Sequence, residues 1–185
     1  MNACVFELDD FQTDDISLYA LTELRRRNPK FKATYYTVLG NCDMAVLRDL
    51  GGLDWLELAL HGLDHGAERF WGYEEAVSYL DYAESFGVFS KLFKMPWFDE
   101  MPDGLARALI ERGYRLATRR RHLVDNLRGS EVPVWLGCQW TVYAHPPTLP
   151  KRMLEVEWEA FDRFYTVSQM FEHKEALDKQ WVIHV

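Results

Sequence analysis

Residues 3–10 read Ala-Cys-Val-Phe-Glu-Leu-Asp-Asp, an apolar run that ends at two adjacent acidic residues. A short run of this kind is typical of a buried strand. Residues 14–24 follow with apolar side chains at helical spacing. Acidic residues begin that segment and Arg25 to Arg27 directly follow it, an order that suits the helix dipole. The opening of the chain therefore predicts a strand followed by a helix.

The same alternation continues through the first two thirds of the chain. The further predicted strands are 33–39, 55–60, 90–93 and 114–118, and the further predicted helices are 43–50, 74–86 and 104–112. Strands that alternate with helices imply right-handed crossovers and a mainly parallel sheet. Beyond residue 120 the pattern weakens, with strand candidates at 132–136, 141–144 and 164–167 and a helix candidate at 151–161.

The length of the chain limits the possible architectures. A complete eight-fold barrel usually needs at least about 200 residues, and this chain has 185. We therefore predict a single α/β domain over residues 1–185, an incomplete or distorted (β/α) barrel with a mainly parallel sheet. An open α/β sheet is the alternative.

Charge and cysteine content exclude several classes of protein. With 29 acidic and 21 basic residues the formal net charge is −8, which argues against a nucleic-acid binder or a protein of the membrane surface. Two basic runs, Arg25 to Arg27 and Arg119 to Arg121, are interpreted as solvated helix ends or loops. The cysteines Cys4, Cys42 and Cys138 fit no zinc or disulfide pattern and are predicted as free thiols. Without a signal-peptide pattern or a long apolar stretch, the sequence predicts a cytoplasmic protein with no membrane insertion.

Residues suited to metal or proton chemistry fall at the predicted strand ends. Asp9 and Asp10 end the first strand, His61 and His65 follow the third, Lys94 and Trp97 follow the fourth, and His145 ends a late strand. The carboxyl ends of parallel strands open onto one face, where enzymes of this architecture build their active sites. These side chains are therefore predicted to meet in one pocket.

The spacing of these residues indicates two roles. His61 and His65 are four residues apart, a spacing that can direct two imidazoles at one divalent metal, and an aspartate from another strand end would add a third ligand. Of two adjacent acids, one can hold the metal while the other acts as general base. The alternatives are a loop or surface role for the histidines and a helix-capping role for Asp9 or Asp10.

At this point the sequence resembles the NodB-homology polysaccharide deacetylases, metal-dependent carbohydrate esterases that remove N- or O-linked acetyl groups. The matching segments are Phe6-Glu-Leu-Asp-Asp10, Leu60-His61-Gly-Leu-Asp-His65, Lys94-Met-Pro-Trp97, Tyr143-Ala-His145 and, more loosely, 33–39 and 164–168. The resemblance thus spans nearly the whole chain. It departs from the family at Phe11, where the family has glycine, and at Lys94, where it has arginine. For the fourth motif Asp125 fits by order only.

The resemblance implies a role for each matching residue. Asp9 would be the general base and Asp10 a metal ligand together with His61 and His65. Lys94 would tune the base, the Trp97 backbone N–H would bind the oxyanion, and His145 would be the general acid. The implied cofactor is one divalent transition metal, zinc first, with cobalt, nickel or manganese as alternatives. The implied partner is an acetylated carbohydrate, and the oligomeric state stays undetermined.

The sequence allows three further interpretations. A catalytically weak or inactive member that binds carbohydrate or protein is the alternative function. Tryptophans could supply a sugar-stacking platform, with Trp71 and Tyr73 as the expected exposed pair, although a core role is the alternative for most of them: Trp55, Trp71, Trp97, Trp135 and Trp140. His173 and His184 are predicted to lie on the surface or in a tail.

Overall fold

The computed structural model describes residues 3–13, 15–98, 101–118, 132–137, 141–173 and 182–184. Four predictions fall outside these residues: the fourth-motif candidate Asp125, the basic run Arg119 to Arg121, Cys138 and Trp140. Cys4 is buried and Cys42 half-buried, and no disulfide joins either of them to another described residue.

The predicted alternation of strands and helices is present. The strands are β1 (Ala3–Phe11), β2 (Ala33–Thr37), β3 (Leu56–Leu60), β4 (Phe89–Lys94), β5 (Arg115–Ala117), β6 (Pro133–Trp135), β7 (Thr141–Ala144), β8 (Arg163–Tyr165) and β9 (Val182–His184). The helices are α1 (Asp15–Arg27), α2 (Met44–Gly51), α3 (Tyr73–Glu84), α4 (Asp103–Glu111), α5 (Leu149–Glu155) and α6 (Val167–Met170).

The strands of the described residues form one nine-stranded sheet in the order β7-β1-β2-β3-β4-β5-β6-β9, with β8 also paired to β1. The pairings from β1 through β6 are parallel, as are those of β7 and β8 to β1, whereas β9 is antiparallel to β6. The strands from β1 to β6 follow chain order without reversal. That order is the order of a barrel, not of a doubly wound sheet.

Side chains from six strands fill the concave face of the sheet. Val5, Tyr36, Ala59, Leu92, Ala117 and Trp135 form one apolar cluster there, together with Val167, Met170 and Phe171. A separate and larger cluster lies between the sheet and the helices. Residues from β1 and β6 also meet across the interior, where Trp135 Nε1 donates to Glu7 Oε1 at 2.9 Å. The sheet is therefore curled, which confirms the incomplete (β/α) barrel and excludes the open sheet.

The C-terminal third corrects two predictions. The helix predicted over 151–161 ends at Glu155, and Trp158–Ala160 forms a separate 3₁₀ turn. The break lets Trp158 bury its ring against Phe6, at 5.4 Å between ring centroids. His184 lies in β9 at the edge of the sheet, so the tail alternative is wrong and the surface alternative stays a prediction. His173 is half-buried with its ring 5.1 Å from that of Tyr165, so it does not lie on the open surface.

Among the described residues, no helix has the length and apolar character that crossing a membrane requires.

Candidate active site at the carboxyl end of the barrel

An irregularity at the end of β1 lets two adjacent carboxylates line one cavity. The pairing of β1 with β2 is regular at Leu8 and shifts before Phe11, and between them Asp10 has a φ of 56°. Neighbouring side chains on a regular strand point to opposite faces, and a bulge removes that constraint. Asp9 is buried and Asp10 half-buried, and both line a cavity of about 100 Å³ at the mouth of the barrel.

His61 and His65 converge on Asp10. His61 directly follows β3, and its Nδ1 lies 2.8 Å from the carbonyl oxygen of Lys94, which leaves Nε2 directed at the cavity. The distances from Asp10 Oδ1 are 3.2 Å to His61 Nε2 and 2.5 Å to His65 Nε2. One ligand atom from each residue lies within 4.8 Å of the other two.

The loop between the two histidines depends on a residue that the sequence analysis missed. Glu68 is fully buried, and its Oε1 accepts hydrogen bonds from the backbone N–H groups of Leu63 and Asp64. Gly62 has a φ of 86°, and a Cβ there would lie 2.2 Å from the same oxygen. In the sequence, Glu68 is only an acidic residue three positions after His65. Such a residue is equally typical of an exposed loop.

We predict that Glu68→Ala weakens metal binding without removing a ligand. The loop would lose the acceptor that fixes its two N–H groups, and supporting contacts of this kind are typically worth 10- to 100-fold in metal affinity. Competition titration with a chromophoric chelator measures the affinity. Glu74→Ala, an exposed acid on α3, is the control and should leave the affinity unchanged. Equal affinities for the two variants would contradict a supporting role for Glu68.

The side chains of Asp10, His61 and His65 fit a divalent transition metal. Asp10 Oδ1 is buried, and no hydrogen bond of normal geometry reaches it although two imidazole nitrogens are close. Burial alone would raise the pKa of Asp10, but its contacts with the two imidazoles hold it well below the usual range. The same contact with Asp10 raises the pKa of His65. Two imidazoles and one carboxylate with open positions match the ligands of catalytic transition-metal sites.

Lys94 is enclosed beneath this group. Its side chain is 1% exposed, and its ammonium nitrogen lies 2.8 Å from Asp9 Oδ1 and 3.3 Å from Glu7 Oε2. The rings of Tyr36 and Tyr143 lie 4.4 and 4.6 Å from Nζ, within the range of cation–π attraction. Glu7 was also missed in the sequence, where it stands as a single acid inside an apolar run.

The surroundings of Asp9 keep its carboxylate ionised. Burial by itself would raise the pKa of Asp9, but the Lys94 ammonium, His61 and a hydrogen bond from the Tyr143 hydroxyl together hold it below its ordinary value. An ionised carboxylate at neutral pH is the form that can accept a proton.

The remaining predicted residues border the same cavity. His145 Nε2 lies 3.6 Å from Asp10 Oδ2 and 3.2 Å from the Tyr143 hydroxyl. Trp97 is 64% exposed, and its Nε1 donates to the carbonyl oxygen of His65 at 2.6 Å. The structure thus brings the seven predicted residues together. Six of them line the cavity with Met95 (Asp9, Asp10, His61, His65, Trp97 and His145), and Lys94 lies beneath Asp9.

The predicted exposed pair of aromatic residues is wrong. Trp71 is half-buried with its ring 4.8 Å from that of Tyr79, and Tyr73 is half-buried and donates to Glu111. Of the aromatic side chains around the loop that carries His65, those most open to solvent are Trp97 and Phe70. Packing of α3 against this loop, which single-sequence patterns do not reveal, explains the difference.

Backbone strain in the described residues coincides with this site. Asp10, His65 and Trp97 are the non-glycine residues with positive φ, at 56°, 68° and 59°. Such conformations are unfavourable for side chains larger than glycine and persist where the surrounding structure enforces them.

Comparison with known proteins identifies the fold. No family model and no curated sequence matches the chain. Solved structures do. The Xyl-CE4 domain of a multidomain xylanase from the hindgut metagenome of Trinervitermes trinervoides superposes with a TM-score of 0.64 at 16% identity, covering 94% of this chain and 91% of that chain.

Two further structures give the same result. A family 4 acetyl xylan esterase from Clostridium thermocellum, in complex with a cobalt ion, has a TM-score of 0.63 at 13% identity over 92% of this chain and 91% of that chain. The peptidoglycan deacetylase PdaC from Bacillus subtilis has a TM-score of 0.57 at 15% identity over 96% and 97%. The chain therefore has the fold of the family 4 carbohydrate esterases and polysaccharide deacetylases, as the sequence resemblance implied.

Proposed function

We propose that this protein is a metal-dependent hydrolase that removes acetyl groups from a sugar or polysaccharide. The observation that carries the proposal is the convergence of Asp10, His61 and His65 beside an ionised Asp9 and a histidine, in a fold whose solved members include acetyl xylan esterases and peptidoglycan deacetylases.

Asp10, His61 and His65 would hold one divalent transition metal. When bound there, such a metal supplies a Lewis acid that polarises the acetyl carbonyl and lowers the pKa of water. Zinc is the first choice, with cobalt, nickel or manganese as alternatives, since all accept this ligand set. His61 is held for this role because its Nδ1 contacts the Lys94 carbonyl.

Asp9 and His145 would divide the proton transfers. Asp9 takes a proton from water as the oxygen attacks the acetyl carbon, and Lys94 holds Asp9 in its charged form. The backbone N–H of Trp97 would stabilise the negative charge that develops on the carbonyl oxygen. As the carbon–nitrogen or carbon–oxygen bond breaks, His145 gives a proton to the leaving amine or alcohol, and acetate is released.

Metal removal and replacement test the proposal. The purified protein is expected to release acetate from acetylated oligosaccharides, to lose this activity on chelation, and to regain it when about one equivalent of zinc or cobalt is added. His61→Ala is the control that should not regain activity with metal. Acetate release that is unchanged after complete chelation would contradict metal dependence, and absence of release from every N- and O-acetylated sugar tested with metal bound would contradict the function.

The role of His145 has its own expected result. His145→Ala should retain the metal, because His145 is not one of the three proposed metal ligands. The variant should nevertheless lose most activity towards acetamides. Activated acetate esters, whose leaving groups need no proton, should be hydrolysed at close to the unaltered rate. The ratio of the two rates, measured on one preparation, is the readout, and an equal loss for both substrates would contradict the assignment of His145 as the acid.

A further inference from the structure

A second cavity lies at the opposite end of the barrel from the candidate active site. Its volume is about 370 Å³, within the range of about 300 to 1,000 Å³ that is usual for small-molecule pockets. Lys32 and Trp55 directly precede β2 and β3, and Arg163 begins β8, so the cavity opens at the amino ends of the strands. We call it the basal pocket. It is lined by Arg25, Pro29, Lys30, Lys32, Asp54, Trp55, Asp162, Arg163, Phe164 and Tyr165.

The basal pocket carries positive charge in an acidic protein. Four basic side chains line it against two acidic ones, whereas the whole chain has a formal net charge of −8. In the part of the chain that the structure describes, no carboxylate forms an ion pair with Lys30, Lys32 or Arg163. Concentrated charge of one sign in a concave site strengthens the local field and attracts ions of the opposite sign.

One wall of the basal pocket is an ordered aromatic surface. Trp55 is half-buried, and its ring packs 6.2 Å from that of Phe31. Arg25 is fixed beside it, because Nη1 donates to the Phe31 carbonyl at 2.8 Å and the guanidinium carbon lies 5.8 Å from the Trp55 ring centroid. The pocket therefore has the Trp55 indole in its wall, next to three cations that form no ion pair with a carboxylate of the described residues.

We propose that the basal pocket binds a sugar that carries an anionic substituent. The sugar ring would pack its C–H face on Trp55, and the phosphate or carboxylate would be held by Lys30, Lys32 and Arg163. Charged hydrogen bonds from lysine and arginine are the strong means of binding such groups. The basic residues of the basal pocket by themselves support binding of an anion, whereas the choice of a sugar as the ligand rests on the proposed function. An anionic saccharide held here would contact the protein away from the metal ligands.

Binding of small probes tests the inference independently of catalysis. Isothermal titration of the protein with a hexose phosphate, a hexuronate, a neutral hexose and inorganic phosphate compares the contributions of ring and charge. The two anionic sugars are expected to bind saturably and the neutral hexose much more weakly. Inorganic phosphate should bind at least fivefold more weakly than the hexose phosphate, and Trp55→Ala should abolish that difference.

Charge-matched variants locate the site. Lys30→Ala with Lys32→Ala should weaken binding of the anionic sugars at least tenfold. Lys91→Ala with Lys151→Ala changes the net charge equally at other surfaces and should alter it less than twofold. Equal effects of the two pairs would overturn the site. If inorganic phosphate binds as tightly as the hexose phosphate, the inference that the pocket recognises a sugar ring is wrong. His61→Ala, which removes a proposed metal ligand, should bind the probes normally. Binding at the basal pocket is therefore tested separately from the proposed function.

Discussion

Asp9→Asn is expected to lower acetate release by about 10² to 10⁴, the usual contribution of a general base, while the metal stays bound. Asp9 lies beside the candidate metal ligands and is ionised, but the group of ligand atoms within 4.8 Å consists of Asp10, His61 and His65. An asparagine keeps the shape of the side chain and can still accept from Lys94, so the fold should persist. Acetate release and metal content, measured on the same preparation, check the prediction.

Asp10→Asn is the matched variant one residue away. A neutral amide oxygen is a poorer donor to a divalent cation than a carboxylate, so this variant should lose metal as well as activity. Excess metal is expected to restore part of the activity of Asp10→Asn and none of that of Asp9→Asn. Equal metal loss in the two variants would refute the division of roles, and undiminished acetate release by Asp9→Asn would refute the mechanism.

Lys94→Met is expected to destabilise the protein by about 3–5 kcal/mol, the usual effect of removing one partner from a buried ion pair. The substitution would leave Asp9 and Glu7, each 2% exposed, without the ammonium between them. Urea unfolding at pH 7 measures the change. Lys91→Met on the same strand removes an exposed pair with Glu84 and should lower the free energy of unfolding by at most about 1 kcal/mol.

The loss should also depend on pH in a defined direction. In the unaltered protein the pKa of Asp9 is lower in the folded state than in the unfolded state. This difference stabilises the protein when the pH is above the pKa of the unfolded state, and the stabilisation is lost as the pH falls through the folded-state pKa. Without Lys94 the buried Asp9 carboxylate would bind a proton more readily in the folded state than in the unfolded state, so the deficit should shrink on acidification. A further change of Glu7→Gln, which removes one uncompensated charge, should recover part of it. A deficit below about 1 kcal/mol at pH 7 would mean that Lys94 does not neutralise these acids.

The sequence by itself predicted the parallel sheet and the residues that meet at the candidate site. Apolar runs that end in Asp9-Asp10, His61 and Lys94 place these residues at the carboxyl ends of strands, because strand position follows from local hydrophobic pattern. Parallel order then brings those ends to one face. The family resemblance assigned the same residues, and all seven lie at or beneath one cavity.

Only the tertiary structure decided what supports them. Three supporting residues, Glu7, Glu68 and Tyr143, reach the site only in the folded protein. Glu7, for example, contacts Lys94, which is 87 positions away in the sequence. Three further features also depend on contacts between distant parts of the chain. They are the curl of the sheet that joins Glu7 to Trp135, the backbone of Asp10 at a φ of 56°, and the burial of Trp71 against α3. A one-dimensional pattern reports which side chains prefer burial. The partner that each buried charge meets is fixed only when separate strands close around a common interior.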